Sequence, residues 1–456
     1  MAPTRLMAAK SSPQDYVAPS RTDPVVAMAS NAIGGPLGRY AVIGARGLTG
    51  VAAAVIVMGA AMLALGVFQK GHCVVKGWVD PDQFWRACYS DVTVVNVSSA
   101  LANRSLPYTS DSPSDQPLGA GLVMWALALV SPHSGGDKTA QQWIFGLWAL
   151  AAMVLIASAV VAVVALQPHR PWQSAHLAVS PVIAVLALVS VDLFAVALVL
   201  WALWAWHRAH PLMAGMLLGM AFLFRPYPLV FLLAIVLVAR QHGHLHRAVQ
   251  VSVAAVASAV AIYLPFLVVL GEPMLVAPRR WLSSAPGYGG TTLIPSLHGP
   301  AVSVTEGTTI ALVGWLIAGA AGLWLVRARP VRADIGFVVA LAAPMMLIVI
   351  LTAKSVSVQT GLWMLPFLAL SALPWRDHLI WAAAEIVHFE AVWLYIGFSS
   401  DPGKGLPPDA YSLAIIARVL AWSWVLLRVW STRRNTGPPS TLTMPRASAH
   451  EPVTAG

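Results

Sequence analysis

Charge is what this sequence has least of. Only 10% of its 456 residues are Asp, Glu, Lys or Arg, against roughly 25% in soluble domains, and this excludes an ordinary soluble protein. Polar-apolar alternation is missing too, which excludes the strands of a membrane barrel. No phosphate-binding glycine loop, zinc spacing or nucleophile elbow occurs, and the GYGG run at 287–290 is a flexible loop. No carboxylate or histidine pair stands at clear ligand spacing, so neither a metal nor another cofactor is expected. No secretory signal fits the start, because the first apolar run lies too far in and no cleavage site follows it. No fixed-period repeat is visible. Cysteine is reduced to two, Cys73 and Cys88.

What is present is a series of apolar runs. A helix needs about 20 apolar residues to cross ~30 Å of hydrocarbon, and the chain is 58% hydrophobic with mean hydropathy +0.72. We therefore expect an all-α, polytopic transmembrane helical bundle. Spans are expected at about 47–69, 117–131, 142–166, 192–206, 211–224, 227–240, 248–270, 307–326, 334–352, 358–374, 378–397 and 410–430, which is about 12 spans. The stretch before Asp192, interrupted by Pro181 and Ser190, reads as a short re-entrant piece. Residues 1–46 and 431–456, rich in Pro and Ser, read as disordered tails around a membrane domain at 47–430.

The basic residues orient the bundle. With the amino terminus inside, Arg208, Arg240, Arg247, Arg327, Arg329, Arg332, Arg376, Arg433 and Arg434 fall on the inner side, as the positive-inside rule expects. Both termini are then cytoplasmic and the chain sits in the plasma membrane. The same rule accounts for the net charge of +10 without a nucleic-acid partner. The long loops 70–116, 271–306 and 398–409 face outward, where a Cys73–Cys88 disulfide is expected. Within 81–106 the spacing of Phe84, Val92, Val95 and Leu101 predicts one interfacial helix.

Ionisable groups at or near membrane depth are costly and so are functional candidates. The outer side collects Asp91, Asp111, Asp115, Asp192, Arg225, Arg279, Arg280, His298 and Lys354. Carboxylates and cations converging from several segments suit a reaction that activates a hydroxyl while holding a phosphate. A sugar on a lipid phosphate already has a good leaving group, so one general base suffices, and cations stabilise the departing charge. Asp91 is the expected base, with Arg225 and Lys354 at the phosphate. Each has a plainer reading. Asp91 could pair with Arg86 or cap a helix, Asp192 could serve helix packing, Arg225 and Lys354 could snorkel, and Arg279 with Arg280 could anchor a loop. The histidines of QHGHLHR, 241–247, read as a solvated inner loop.

Several runs together resemble the actinobacterial integral membrane proteins of glycosyltransferase family 87, in the C-type, polyprenyl-phosphate-sugar-dependent superfamily. They are Cys88-Tyr89-Ser90-Asp91 after Cys73 and Trp78, Leu106-Pro107-Tyr108 before Asp115-Gln116-Pro117, and Val191-Asp192-Leu193. Arg225-Pro226-Tyr227-Pro228-Leu229, KSVSVQTGLWMLP at 354–366, and Trp381 to Trp393 with Glu385 and His388 complete the set. The resemblance covers roughly 47–430. It implies a C-type glycosyltransferase fold, and inverting transfer of mannose or arabinose from a polyprenyl-phosphate donor to a cell-envelope glycan or glycolipid acceptor, at the outer face. It carries the base role onto Asp91, and substrate contacts onto Tyr108, Asp115, Asp192, Arg225, Tyr227, Lys354 and Gln359, beside His298. The chain departs from the family pattern at Asp115, Gln116, Arg225, Val358 and Thr360, which leaves the donor sugar open. The competing reading is a multi-span transporter or flippase, and a third is a non-catalytic scaffold. Transporters often carry matched broken helices, and no such symmetry is visible.

Overall fold

A computed structural model describes residues 23–29, 31–32, 47–109, 114–328 and 334–432. Most of both tails, Asp111, Arg329, Arg332, Arg433 and Arg434 lie outside the described residues. Every regular element described is helical.

Seven helices are long and apolar enough to cross a membrane: α1 (Leu48–Gln69), α4 (Lys138–Leu166), α10 (Leu245–Leu270), α12 (Val304–Arg327), α13 (Ile335–Thr352), α15 (Trp375–Phe398) and α16 (Pro408–Thr432). Between them lie shorter helices: α2 (Asp91–Ser98), α3 (Leu118–Val130), α5 (Ala175–Ala178), α6 (Pro181–Leu186), α7 (Asp192–His207), α8 (Pro211–Phe222), α9 (Pro228–Gln241), α11 (Val276–Ser283) and α14 (Leu365–Leu370). This is a multi-pass membrane protein of bundled helices. Proline and capping residues set the breaks. Pro181, Pro211 and Pro228 open α6, α8 and α9 at the first turn, where a missing N–H is harmless. Asp137 caps α4 through the Ala140 N–H, and Ser303 with Glu306 forms a capping box on α12.

Three expectations change. The segment 117–131 does not cross. Helix α3 has 13 residues, about 20 Å of rise, and loop 70–116 holds both its ends. Tyr108 Oη donates to Gln116 O just before it, and Arg104 donates to Ser131 O just after it. The stretch from 174 to Asp192, expected as a re-entrant piece, instead belongs to a segment, 171–189, that links the two ends of the bundle. It starts beside α14, where Gln167 donates to Leu370 O. It climbs along α1, with Ala178 against Gly59 and Ala184 against Gly66, and reaches the loop end where Val189 O accepts from Asp91 N. A turn at Ser190 separates it from α7. Periodicity could not separate these cases, since both are short apolar runs.

The single interfacial helix expected in 81–106 is also broken. It becomes Asp82–Trp85, α2 and a 3-10 turn at Ala100–Asn103. Ala87 takes φ 48° and Ser90 is extended, neither compatible with a continuous helix. Helix α2 packs on α4 instead of lying free.

Helix α8 packs extensively on α10. Gly215 and Gly219 sit four apart on α8, and a Cβ on either would collide with Val251 O or Ala255 O. Small residues at this spacing let backbones meet. Gly219→Leu should force the helices apart and lower the melting temperature in detergent, whereas Gly146→Ala, with open space around it, should not.

Candidate active site

A cavity of about 900 Å³ opens at the loop end. Asp91 lines it because a set of backbone ties aims the start of α2 there. The Asp91 N–H donates to Val189 O at 2.7 Å, and Ser90 Oγ donates to Leu188 O at 2.7 Å. The preceding turn is held by the Cys73–Cys88 disulfide, by Trp78 Nε1 donating to Cys88 O, and by the fully buried Lys70, whose Nζ donates to Ala87 O and Tyr89 O. The expected disulfide is therefore present. Arg86 lies near Asp82, not Asp91, and the helix cap is Ser90. Asp91 itself receives hydrogen bonds from the Tyr89 hydroxyl and, at 3.3 Å, from Gln359 Nε2. Burial pushes its carboxyl up to about 6, against the opposing pull of the Tyr89 bond and the Arg225 charge.

Arg225 stands where α8 has ended and Pro226 and Pro228 forbid the helix to continue. Its Nε donates to Asp192 Oδ1 and Oδ2 at 3.3 and 3.2 Å. Asp192 is 1% exposed and also accepts from Trp363 Nε1 at 3.1 Å. The carboxylate thus fixes the stem of the guanidinium by one edge. The two terminal nitrogens of Arg225, which lines the cavity, have no hydrogen-bond partner among the described residues. A planar fork held in this way suits a phosphate.

The remaining expected residues divide. Tyr108, Asp115, Tyr227, Lys354 and Gln359 line the same cavity. The Tyr108 hydroxyl is spent on Gln116 O, and the Tyr227 hydroxyl lies 3.4 Å from Thr360 Oγ1. Asp115 pairs with Arg280 of α11, joining two loops across the cavity. Lys354 is buried, with Nζ donating to Trp281 O at 2.8 Å and to Thr308 Oγ1 at 2.9 Å. Its ammonium therefore holds α11 against α12. Asp192 stands behind Arg225 and does not line the cavity, and His298 lies outside it, between Asp409 and Ser412. Arg279 pairs with Glu272, exposed to solvent.

The cavity has two characters. Asp91, Asp115, Arg225, Arg280, Gln359 and Thr360 give it polar lining, and Phe222, Phe224, Trp281, Leu312 and Trp315 give it apolar wall. Helices α10 and α12 border the cavity, and their apolar side chains are largely exposed. An amphiphile with a polar head and an apolar tail fits such a space.

Three contributors were not read from the sequence. Tyr89 was quoted only as part of a run, and Lys70 looks like an ordinary span-end lysine. Arg418 is the third. It is 2% exposed, its Nε donates to Glu385 Oε1 at 3.0 Å, and its terminal nitrogens donate to Val356 O at 2.6 Å, Ser357 O at 3.1 Å and Val358 O at 3.4 Å. It thereby shapes the segment that presents Gln359 and Thr360. The signal was available, since a cation inside an apolar run is a candidate by default. Among the described residues, no group of His, Cys, Asp and Glu is arranged to hold a metal ion. Comparisons with protein-family models, curated proteins and solved structures find no match to this chain.

Proposed function

We propose that the protein is an inverting glycosyltransferase that moves mannose or arabinose from a polyprenyl phosphate to a cell-envelope glycan or glycolipid, as its resemblance to glycosyltransferase family 87 implies. The observation that carries this reading is one cavity lined both by the Asp91 carboxylate and a half-free Arg225 guanidinium and by an extensive apolar wall. The lipid tail would lie along the wall, the phosphate against Arg225 and the sugar toward Asp91. Counting the shorter helices as crossings, with 171–189 replacing 117–131, gives twelve passes. Both termini would then lie in the cytoplasm and the cavity at the outer face.

The chemistry balances without further parts. The acceptor hydroxyl attacks the anomeric carbon from the face opposite the phosphate, and its proton passes to an Asp91 oxygen. The bond from the anomeric carbon to the phosphate oxygen breaks, and the polyprenyl phosphate leaves with its charge opposite Arg225. Configuration inverts because there is one displacement. Asp192 and Trp363 orient Arg225. Lys354 supports the wall and is not assigned to the phosphate, because its donors are in use.

Purified protein incubated with labelled polyprenyl-phosphate mannose or arabinose and a panel of envelope acceptors should yield labelled product. Movement of lipid-linked sugar across sealed vesicles with no transfer in detergent would replace this reading with a flippase. A pH dependence follows. The base must be ionised, and its carboxyl titrates near 6. The rate should therefore be flat above that value and fall about tenfold per pH unit below it. An acid limb near the usual carboxylate value of about 4 would remove Asp91 as the titrating base.

A further inference from the structure

The opposite end of the bundle holds a second hollow, of about 130 Å³. Helix α7 spans the distance between the two, 16 residues or about 24 Å of rise. The hollow is lined by His207, His242, His244 and Arg247 among apolar residues such as Trp206 and Val238. It is well below the ~300–1,000 Å³ of pockets for drug-sized ligands, and so has room for one small group.

Its chemistry is of one sign. No carboxylate lines it, and the sequence has no Asp or Glu between Asp192 and Glu272. Asp334, next to the lining Ile335, gives an oxygen to the Phe337 N–H of its own helix. Helices α8 and α10 both begin at the hollow, and neither has a side-chain cap on its first turn. Helix N-termini attract anions. His242 is only partly buried, and its Nε2 has no hydrogen-bond partner among the described residues; with that nitrogen protonated, the ring would donate to an acceptor.

Basic residues in short inner loops follow from the positive-inside rule alone. That rule does not gather them around one hollow, and it does not leave a ring nitrogen without a partner. The imidazoles are not grouped for a metal ion either, among the described residues. We propose that this hollow binds one phosphate group, carried by an anionic lipid headgroup or by a free phosphate anion. Its position at the end of apolar helices is where basic pockets meet headgroups.

The test uses the full chain with two probes. In the first, protein released from phosphatidylcholine nanodiscs containing a minor fraction of phosphatidylglycerol is weighed by native mass spectrometry. In the second, detergent-solubilised protein is titrated with inorganic phosphate and followed by phosphorus NMR line broadening. The double variant His242→Ala/Arg247→Ala should lose about tenfold or more of the retained probe, since each hydrogen bond to a charged group is worth about 1.5–3 kcal/mol. Arg208→Ala, an exposed neighbour outside the hollow, should keep it. Loss in the lipid arm assigns a headgroup, and loss in the phosphate arm alone assigns a free anion. Should the alanine pair melt early, His242→Gln/Arg247→Gln takes its place. Equal behaviour of wild type and variant in both arms, or binding in neither, overturns the proposal.

Discussion

Asp91→Asn should lower sugar transfer by about 10³-fold, within the 10²–10⁴ range of a positioned general base, while KM for the donor and the melting temperature stay near wild type. Asn keeps the shape and the acceptor oxygen for Tyr89 and Gln359 but cannot take a proton. The backbone ties of Asp91 to Val189 and of Ser90 to Leu188 do not depend on the side chain, so the fold should be kept. The loss should fall on kcat, because the proton moves only in the transition state. A variant with full activity would remove Asp91 from the mechanism. One that loses donor binding equally would make the carboxylate a binding group and not a base.

The largest effect on stability should come from Arg418→Leu. The guanidinium is buried and serves Glu385 together with the carbonyls of Val356, Ser357 and Val358. Removing it leaves a buried carboxylate, 1% exposed, with Trp422 Nε1 as its remaining partner. Breaking a buried pair in this way costs about 3–5 kcal/mol, read as a clear fall in the melting temperature in detergent. The double variant Glu385→Met/Arg418→Met removes both charges and should regain part of the loss. Recovery should be incomplete, because the carbonyls stay unpaired and each buried orphan costs about 1–3 kcal/mol. If Arg418→Leu melted with the wild type, the strut would carry no stability and the 354–360 segment would be held by other contacts.

The class of the protein was legible because apolar length and scarce charge report burial in hydrocarbon directly. The loops expected on one side could be read as one face, since Asp91, Asp115, Arg225, Lys354 and Gln359 do line one cavity. Pairwise roles were less legible. Lys354 and Arg225 look alike in sequence, each a lone cation at the end of an apolar run. The structure gives the Lys354 ammonium to Trp281 O and Thr308, and leaves the terminal nitrogens of Arg225 free beside the cavity. His298 shows the opposite failure: its loop faces the right end, but its ring faces Asp409 and Ser412.

By itself the sequence determined that this chain is a multi-helix membrane protein and which polar residues sit at span ends, because hydropathy and proline act locally. Only the tertiary structure decided which short apolar run links the two ends of the bundle, which cations are spent on carbonyls, and that Arg418 underlies the 354–360 segment. Those outcomes depend on which backbone groups lie within about 3 Å of a donor, and residues as far apart in the chain as Asp91 and Gln359 become neighbours only when the helices pack.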